Sequence, residues 1–420
     1  MYCRTRMTAT MRKGTALGCL LPYVALSIWA QVGAQREDVF PKRVCERDYP
    51  CWDLRHVSVV LRHTARAPTV FLPHDPYLRP NLYPRGAGRS TLLGLQQALV
   101  VGRLWKSWWR PHFLSGDVNE VAARTSHHVS CFETTSSLLF EVYSPGPCHS
   151  SPSFCLPFDP VMIAAPLEAN DENYPDQAKL TKAIARINTT TVMKTPVPRS
   201  LSSRFQTLGD FVKFVQSHAE HFTPNVSFAH LYEAVLYGYS LNRWEGLALP
   251  TWAIDNWPTW TWSMDVLNSA ISKSLRIPIA YGVAQDVVQM LRDAAQGSSS
   301  YQSTQRKKLA LFGYHDTTIS ALMSALDPQW DRSRRTSYLA AIFFELYEHE
   351  NDGEFAVRVR YSEGLSHDGR YSPPKVLRVK GCNKYLCPLD NVTKTLNTSF
   401  TPHDTEANSI PADADAPAEL

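Results

Sequence analysis

Three short polar clusters carry residue types suited to moving a phosphoryl group: Arg62-His63-x-x-Arg66, Arg124, and His315-Asp316. A phosphoryl group in transfer spreads negative charge over its equatorial oxygens, and guanidinium forks match those oxygens two at a time. Imidazole can accept the group covalently, and a carboxylic acid can hand a proton to the departing oxygen. Each cluster taken alone also has an ordinary structural use. An Arg-His pair can end a strand, Asp316 can cap a helix, and Arg124 can complete an ion pair. What joins them is their order along the chain and the apolar stretch that precedes each one.

The elements that must position them follow from patterning. Residues 56–61 (His-Val-Ser-Val-Val-Leu) are β-branched and apolar, as in a buried parallel strand, and stop abruptly at Arg62-His63. Residues 90–109 repeat apolar positions at helical spacing (Leu93, Leu95, Ala98, Val101, Leu104, Trp105). Residues 118–123 form a weaker strand signal that delivers Arg124, and 130–142 reads as a helix. A second short apolar strand, 309–312, ends at His315-Asp316, with a helix over 317–326. Residues 338–347 and 355–361 read as two strands joined by the turn Glu350-Asn351-Asp352-Gly353. Open α/β sheets build their sites where strand carboxyl ends deliver polar residues into loops. Between these α/β stretches, the chain becomes rich in Pro, Asn, Thr and aromatics, with helical patches at 208–218, 228–241 and 264–274. The organisation expected is an α/β core over 35–144 and 304–400, interrupted by a helical cap over 145–303. The tryptophans of the cap, Trp244, Trp252, Trp257, Trp260 and Trp262, are expected to pack it against the core, with an aromatic substrate wall as the alternative.

With the motifs set out, a family resemblance follows. Leu61-Arg62-His63-Thr64-Ala65-Arg66-Ala67-Pro68 resembles the R-H-G-x-R-x-P signature of histidine acid phosphatases. Gly313-Tyr314-His315-Asp316-Thr317-Thr318 resembles that family's second signature. Thr91-x-x-Gly94-x-x-Gln97, Leu249-Pro250-Thr251-Trp252-Ala253, and Gly381-Cys382 with Cys387-Pro388-Leu389 are similar to segments of the animal prostatic and lysosomal acid phosphatases. The resemblance implies an α/β fold with a mainly parallel sheet flanked by helices and a helical cap. It implies hydrolysis of phosphate monoesters through a phosphohistidine at acidic pH. Carried over by position, His63 is the phosphate acceptor and Asp316 the proton donor, while Arg62, Arg66, Arg124 and His315 hold the phosphate. No cofactor or metal is implied, and relatives of this kind are often homodimers.

Two departures bear on activity. Thr64 replaces the glycine after the nucleophile, where backbone must approach phosphate closely, so its side chain is expected either to crowd the site or to donate to phosphate. Arg124-Thr125-Ser126-His127-His128-Val129-Ser130 keeps only the first arginine of the family's corresponding run, with Ser130 where the second would stand. The alternative reading is therefore a secreted binding protein on this fold with weakened or lost chemistry. A phosphoglycerate-mutase-like transferase fits less well, given the HD pair and the export signal.

Composition limits the remaining classes. With 44% hydrophobic and 20% charged residues, the 420-residue chain is of ordinary globular type and long enough for a sizeable core. A formal net charge of +4 argues against nucleic acid as a partner, and the one basic run, Arg306-Lys307-Lys308, fits a solvated loop. Arg4, Arg6, Arg12 and Lys13 precede an apolar stretch over 16–30 and a small-residue site at Val32-Gly33-Ala34. This reads as a signal peptide over 1–34, with an uncleaved anchor as the alternative. The apolar stretch, about 15 residues, is short of the roughly 20 that span a bilayer, so no stable membrane span is expected in the mature chain. A secreted or lysosomal-lumen glycoprotein is expected, with N-x-S/T sequons at Asn188, Asn225, Asn391 and Asn397. Cysteine spacing suggests local disulfides Cys45/Cys51, Cys148/Cys155 and Cys382/Cys387, leaving Cys131 as a buried thiol. The acidic, Pro/Ala-rich residues 401–420 read as a disordered tail.

Overall fold

The computed structural model describes residues 40–45, 51–110, 112–144, 163–164, 191–274, 276–297, 307–330 and 335–400. In chain order the first elements are β1 (Arg43–Cys45), β2 (Cys51–Arg62), α1 (Leu92–Trp109), β3 (Val121–Thr125), α2 (Val129–Tyr143) and β4 (Ile163–Ala164). The helical region supplies α3 (Leu208–Ala219), then α4 (Phe228–His230), a π-helical segment Leu231–Tyr237 and α5 (Gly238–Trp244) in one continuous run. It continues with α6 (Thr251–Asp255), α7 (Trp257–Ser274) and α8 (Arg276–Gln296). The last part holds β5 (Leu309–Tyr314), α9 (Asp316–Leu326), β6 (Ala341–His349), β7 (Phe355–Ser362), β8 (Lys375–Val376), β9 (Leu386–Pro388) and α10 (Leu389–Phe400).

One nine-stranded sheet runs β4-β3-β5-β2-β6-β7-β8, with β1 paired to β2 and β9 to β7. The expected class, an α/β protein with a central sheet flanked by helices, is what forms. Parallel pairing, however, is confined to β4, β3, β5 and β2, whereas β6 to β9 extend the sheet antiparallel. The reason is local. The four-residue turn predicted at 350–353 closes a hairpin between β6 and β7, with Gly353 at φ +71°, and a hairpin can only be antiparallel.

The parallel half positions the site. Val57, Val59, Val60 and Leu61 of β2 are all fully buried, as expected for a strand covered on both faces. Register sets Leu61 opposite Gly313 and Arg62 opposite Tyr314, while Arg124 of β3 lies opposite Phe312. Three strands therefore end together, and the polar residues that follow them emerge at one sheet edge. Packing is tight there: a Cβ at Gly313 would fall 2.2 Å from Thr135 Oγ1 of α2. Only glycine lets the helix lie this close to β5.

Around the sheet, Trp105 and Trp109 of α1 close on Phe343 of β6, with ring centroids 5.5 and 6.4 Å away. In the helical region, Trp260 is fully buried and stacks on Trp257 and Tyr239 at 5.8 and 5.7 Å. Its indole donates to Leu236 O, so these rings pack the region internally. Helix α8, which sequence patterning did not single out, returns to the sheet and packs on β2, α9 and α10. Disulfides join Cys45 to Cys51 and Cys382 to Cys387, and Cys131 is a buried free thiol. The expected Cys148/Cys155 pair, the signal peptide, Asn188 and the tail lie outside the described residues. No described helix is long and apolar enough to cross a membrane.

Candidate active site

His63 follows directly from β2, its amide donating to Tyr314 O at the end of β5 (2.9 Å). The side chain is buried at 3% exposure, and its Nδ1 lies 2.6 Å from Thr64 O. A carbonyl can only accept, so Nδ1 carries the ring proton and Nε2 is left with the lone pair. Nε2 makes no hydrogen bond to the described residues. Burial, reinforced by the positive charge of Arg62 and Arg66, pushes the ring's pKa well below 6.5. The result is a neutral imidazole with a defined tautomer.

Arg62 is 3% exposed and lies over the Tyr338 ring at 4.3 Å, with Nη1 donating to Thr336 O. Its Nη2 is 3.1 Å from Asp316 Oδ2, yet Nη2 and Nε are both buried without a hydrogen-bonded partner among the described residues. Arg66 donates through Nη1 to Glu233 Oε1 (2.8 Å) and Ala67 O (3.0 Å), and its Nε is likewise buried and unpartnered. Buried guanidinium donors without acceptors are costly, and an anionic ligand with several oxygens is the natural complement to them.

His315 caps the start of α9 and is 8% exposed. Its Nε2 lies 2.9 Å from Ser126 Oγ, and its ring meets those of His63 and His128 edge-on at 5.4 and 4.6 Å. Burial, with His128 and His63 beside it, holds its pKa well below 6.5 as well. Asp316 opens α9, and its Oδ1 accepts from Thr317 N (2.9 Å). Its Oδ2 accepts from Arg335 Nε at 2.8 Å. Burial alone would raise this carboxyl's pKa, but Arg62 and Arg335 outweigh it and hold the group far below the usual carboxylate range.

The structure thus brings Arg62, His63, Arg66, His315 and Asp316 into one electrostatic network. Arg124 shares their sheet edge, with its Nη1 engaged by both carboxylate oxygens of Asp286 on α8 at 2.9 and 2.7 Å. The two departures resolve differently. Thr64 is fully buried, and its hydroxyl donates to Gly94 O of α1 at 2.8 Å, while its amide donates to Thr134 Oγ1. Its hydroxyl hydrogen is committed to the helix, and a Cβ on Gly94 would fall only 2.8 Å from that hydroxyl oxygen. Ser130 is fully buried at the start of α2 and supplies no cation.

Sequence patterning missed Arg335, Glu233, Asp286, Tyr237 and Tyr338. Tyr237 lies under Arg66 and Arg335 at 4.6 and 5.1 Å, and Glu233 comes from the same π-helical segment. The only available signal was charge or aromaticity within otherwise ordinary helical or loop sequence.

Comparison with known proteins finds likeness to phosphatases. The family described as "Histidine phosphatase superfamily (branch 2)" matches residues 169–362, which include His315 and Asp316. The chain is 24% identical over 355 residues to the prostatic acid phosphatase of Bos taurus, covering 80% of this chain and 83% of that protein. It is 28% identical over 376 residues to the testicular acid phosphatase of Mus musculus (82% and 79% covered). With the lysosomal acid phosphatase of Xenopus laevis it shares 22% identity over 359 residues (82% and 76% covered). The fold is also that of the Hafnia alvei phytase solved with tartrate, at TM-score 0.55 and 14% identity over 84% of this chain and 98% of that one. The phytase of Citrobacter braakii gives 0.53 and 14% over 83% and 98%. By these matches the chain is similar to members of the histidine phosphatase superfamily, branch 2, and to acid phosphatases within it.

Proposed function

We propose that the protein is an exported acid phosphatase that hydrolyses phosphate monoesters through a phosphohistidine on His63. The observation that carries this reading is the His63 ring: neutral, with Nδ1–H held by Thr64 O, and flanked by Arg62 and Arg66 with buried donors awaiting an acceptor. The phosphoryl oxygens take the donors of Arg62 and Arg66, with Arg124 and His315 completing the cradle. Nε2 attacks phosphorus as the bond to the ester oxygen breaks. The bonding pair leaves with that oxygen, which takes a proton from Asp316. Water then attacks the phosphohistidine and gives a proton to the Asp316 carboxylate, the pair of the P–N bond returns to Nε2, and inorganic phosphate departs. In this reading the catalytic core lies within 35–144 and 304–400 and the cap within 145–303, from which Glu233 and Tyr237 reach the site. The similarity to prostatic and lysosomal enzymes, together with the disulfides, supports an exported protein. Asn225 and Asn391 are exposed as glycosylation requires, whereas Asn397 accepts a hydrogen bond from Gln285.

The second reading, a binding protein with lost chemistry, rests on Ser130, which leaves the site one guanidinium short of the family pattern. Turnover of p-nitrophenyl phosphate in mildly acidic buffer separates the two. The enzyme reading expects turnover that His63→Ala abolishes in a folded protein. Vanadate binding without turnover favours the second reading.

A further inference from the structure

Among the described residues, Arg335 is the cation at the site that the phosphoryl chemistry above leaves unused. Its Nε donates to Asp316 Oδ2 at 2.8 Å, the oxygen that also faces Arg62 Nη2 at 3.1 Å. The side chain is 15% exposed and lies over the Tyr237 ring at 5.1 Å. Its backbone amide is fixed by Asp265 Oδ1 of α7 at 2.9 Å. Held from both ends, the guanidinium has a single carboxylate at its Nε, the group read as the proton donor.

We propose that Arg335 is a positioning residue that governs when Asp316 carries the leaving-group proton, and so sets the alkaline edge of turnover for esters with poor leaving groups. This rests on the reading of Asp316 as proton donor and adds a regulator to it. The groups that face Asp316 come from every element around it. Arg62 and His63 follow from β2, and His315 caps its own helix. Tyr232 comes from the π-helical segment, the buried Cys131 thiol from α2, and Arg335 from the loop before β6. Among the described residues, Arg62 and Arg335 are the cations in ion-pair contact with it.

Those two cations have different fates when substrate binds. A phosphoryl group recruits Arg62 and brings negative charge close to Asp316, and both changes favour protonation of the carboxyl. Arg335, tied to Asp265 and Tyr237, stays on Oδ2 and opposes them. The loaded site therefore takes up its proton only in acid, at a pH that Arg335 lowers. An arginine beside a carboxylate lowers its titration by about 1–3 pH units. The general acid works only when protonated, so removing Arg335 moves the alkaline edge to higher pH.

The test compares the parent with Arg335→Gln and Arg335→Lys, using p-nitrophenyl phosphate, which hardly needs the proton, and β-glycerophosphate, which does. The quantity read is the ratio of kcat/KM for the two esters against pH. In Arg335→Gln the alkaline fall of that ratio is expected to move up by about one pH unit or more, with Arg335→Lys restoring most of the difference. An unchanged edge, with KM raised equally for both esters and vanadate binding weakened, would make Arg335 a phosphate ligand and overturn the proposal.

A second measurement needs no turnover. The carboxylic-acid C=O stretch of Asp316, read as the infrared difference between each vanadate-bound protein and its Asp316→Asn counterpart, is expected to appear at higher pH in Arg335→Gln than in the parent. No difference between them overturns the role of Arg335. If the infrared titration moves while the kinetic edge stays, Arg335 does control Asp316 but the carboxyl is not the proton donor. That outcome overturns the proposal as it bears on turnover, and the phosphatase mechanism with it.

Discussion

Replacing Thr64 by glycine restores the residue of the family signature, and the structure predicts that this weakens the fold without improving catalysis. The Thr64 hydroxyl is fully buried and donates to Gly94 O at 2.8 Å. Losing a buried neutral hydrogen bond costs about 1 kcal/mol net. Removing the buried methyl adds roughly 0.8 kcal/mol, before any cavity left between the His63 loop and α1. Glycine also gains freedom in the unfolded chain, worth about 0.5–1 kcal/mol. Together Thr64→Gly is expected to destabilise by about 2–3 kcal/mol. Because the side chain packs on Gly94, kcat/KM and vanadate inhibition at a temperature well below unfolding should change less than about threefold, under 0.7 kcal/mol. Thr64→Ser keeps the hydrogen bond and should lose only about 1 kcal/mol. Urea unfolding of the three proteins, with vanadate inhibition on the same samples, is the assay. A glycine variant of parental stability with tenfold higher kcat/KM would refute this reasoning and reinstate crowding of the phosphate by threonine.

Two further outcomes follow from the site. Asp316→Asn should slow β-glycerophosphate by about 10²–10⁴-fold while sparing p-nitrophenyl phosphate, and equal losses for both would assign Asp316 a structural or phosphate-binding role. His63 must be unprotonated to attack, and its pKa is pushed well below 6.5, so the acid edge of kcat/KM for p-nitrophenyl phosphate should lie well below pH 6.5. An acid edge centred near 6.5 would mean that the reactive imidazole is solvated rather than buried.

The candidate-site motifs were legible because their residues are adjacent in the chain. Arg62, His63 and Arg66 follow one strand, and His315 and Asp316 follow another, so strand ends and residue types coincide in a short window. The charges that tune them were not, because they arrive through tertiary contacts from distant segments. Glu233 reaches Arg66 from 167 positions away, Asp286 reaches Arg124 from 162, and Arg335 reaches Asp316 across a loop. Helix α8 escaped notice because Pro278 interrupts its apolar pattern and a polar loop follows it. Thr64 was legible as a departure but not as a solution. The rotamer that turns its hydroxyl to Gly94 depends on α1 lying against the His63 loop, and the motif itself holds no information about that approach.

Trapping the covalent intermediate tests the central claim most directly. The parent protein, mixed with ³²P-labelled monoester and quenched without acid, should carry label that peptide mapping assigns to His63. His63→Ala should carry none. Label on a serine, or turnover in the parent with no labelled protein at any quench time and full activity in His63→Ala, would contradict a phosphohistidine route through this imidazole.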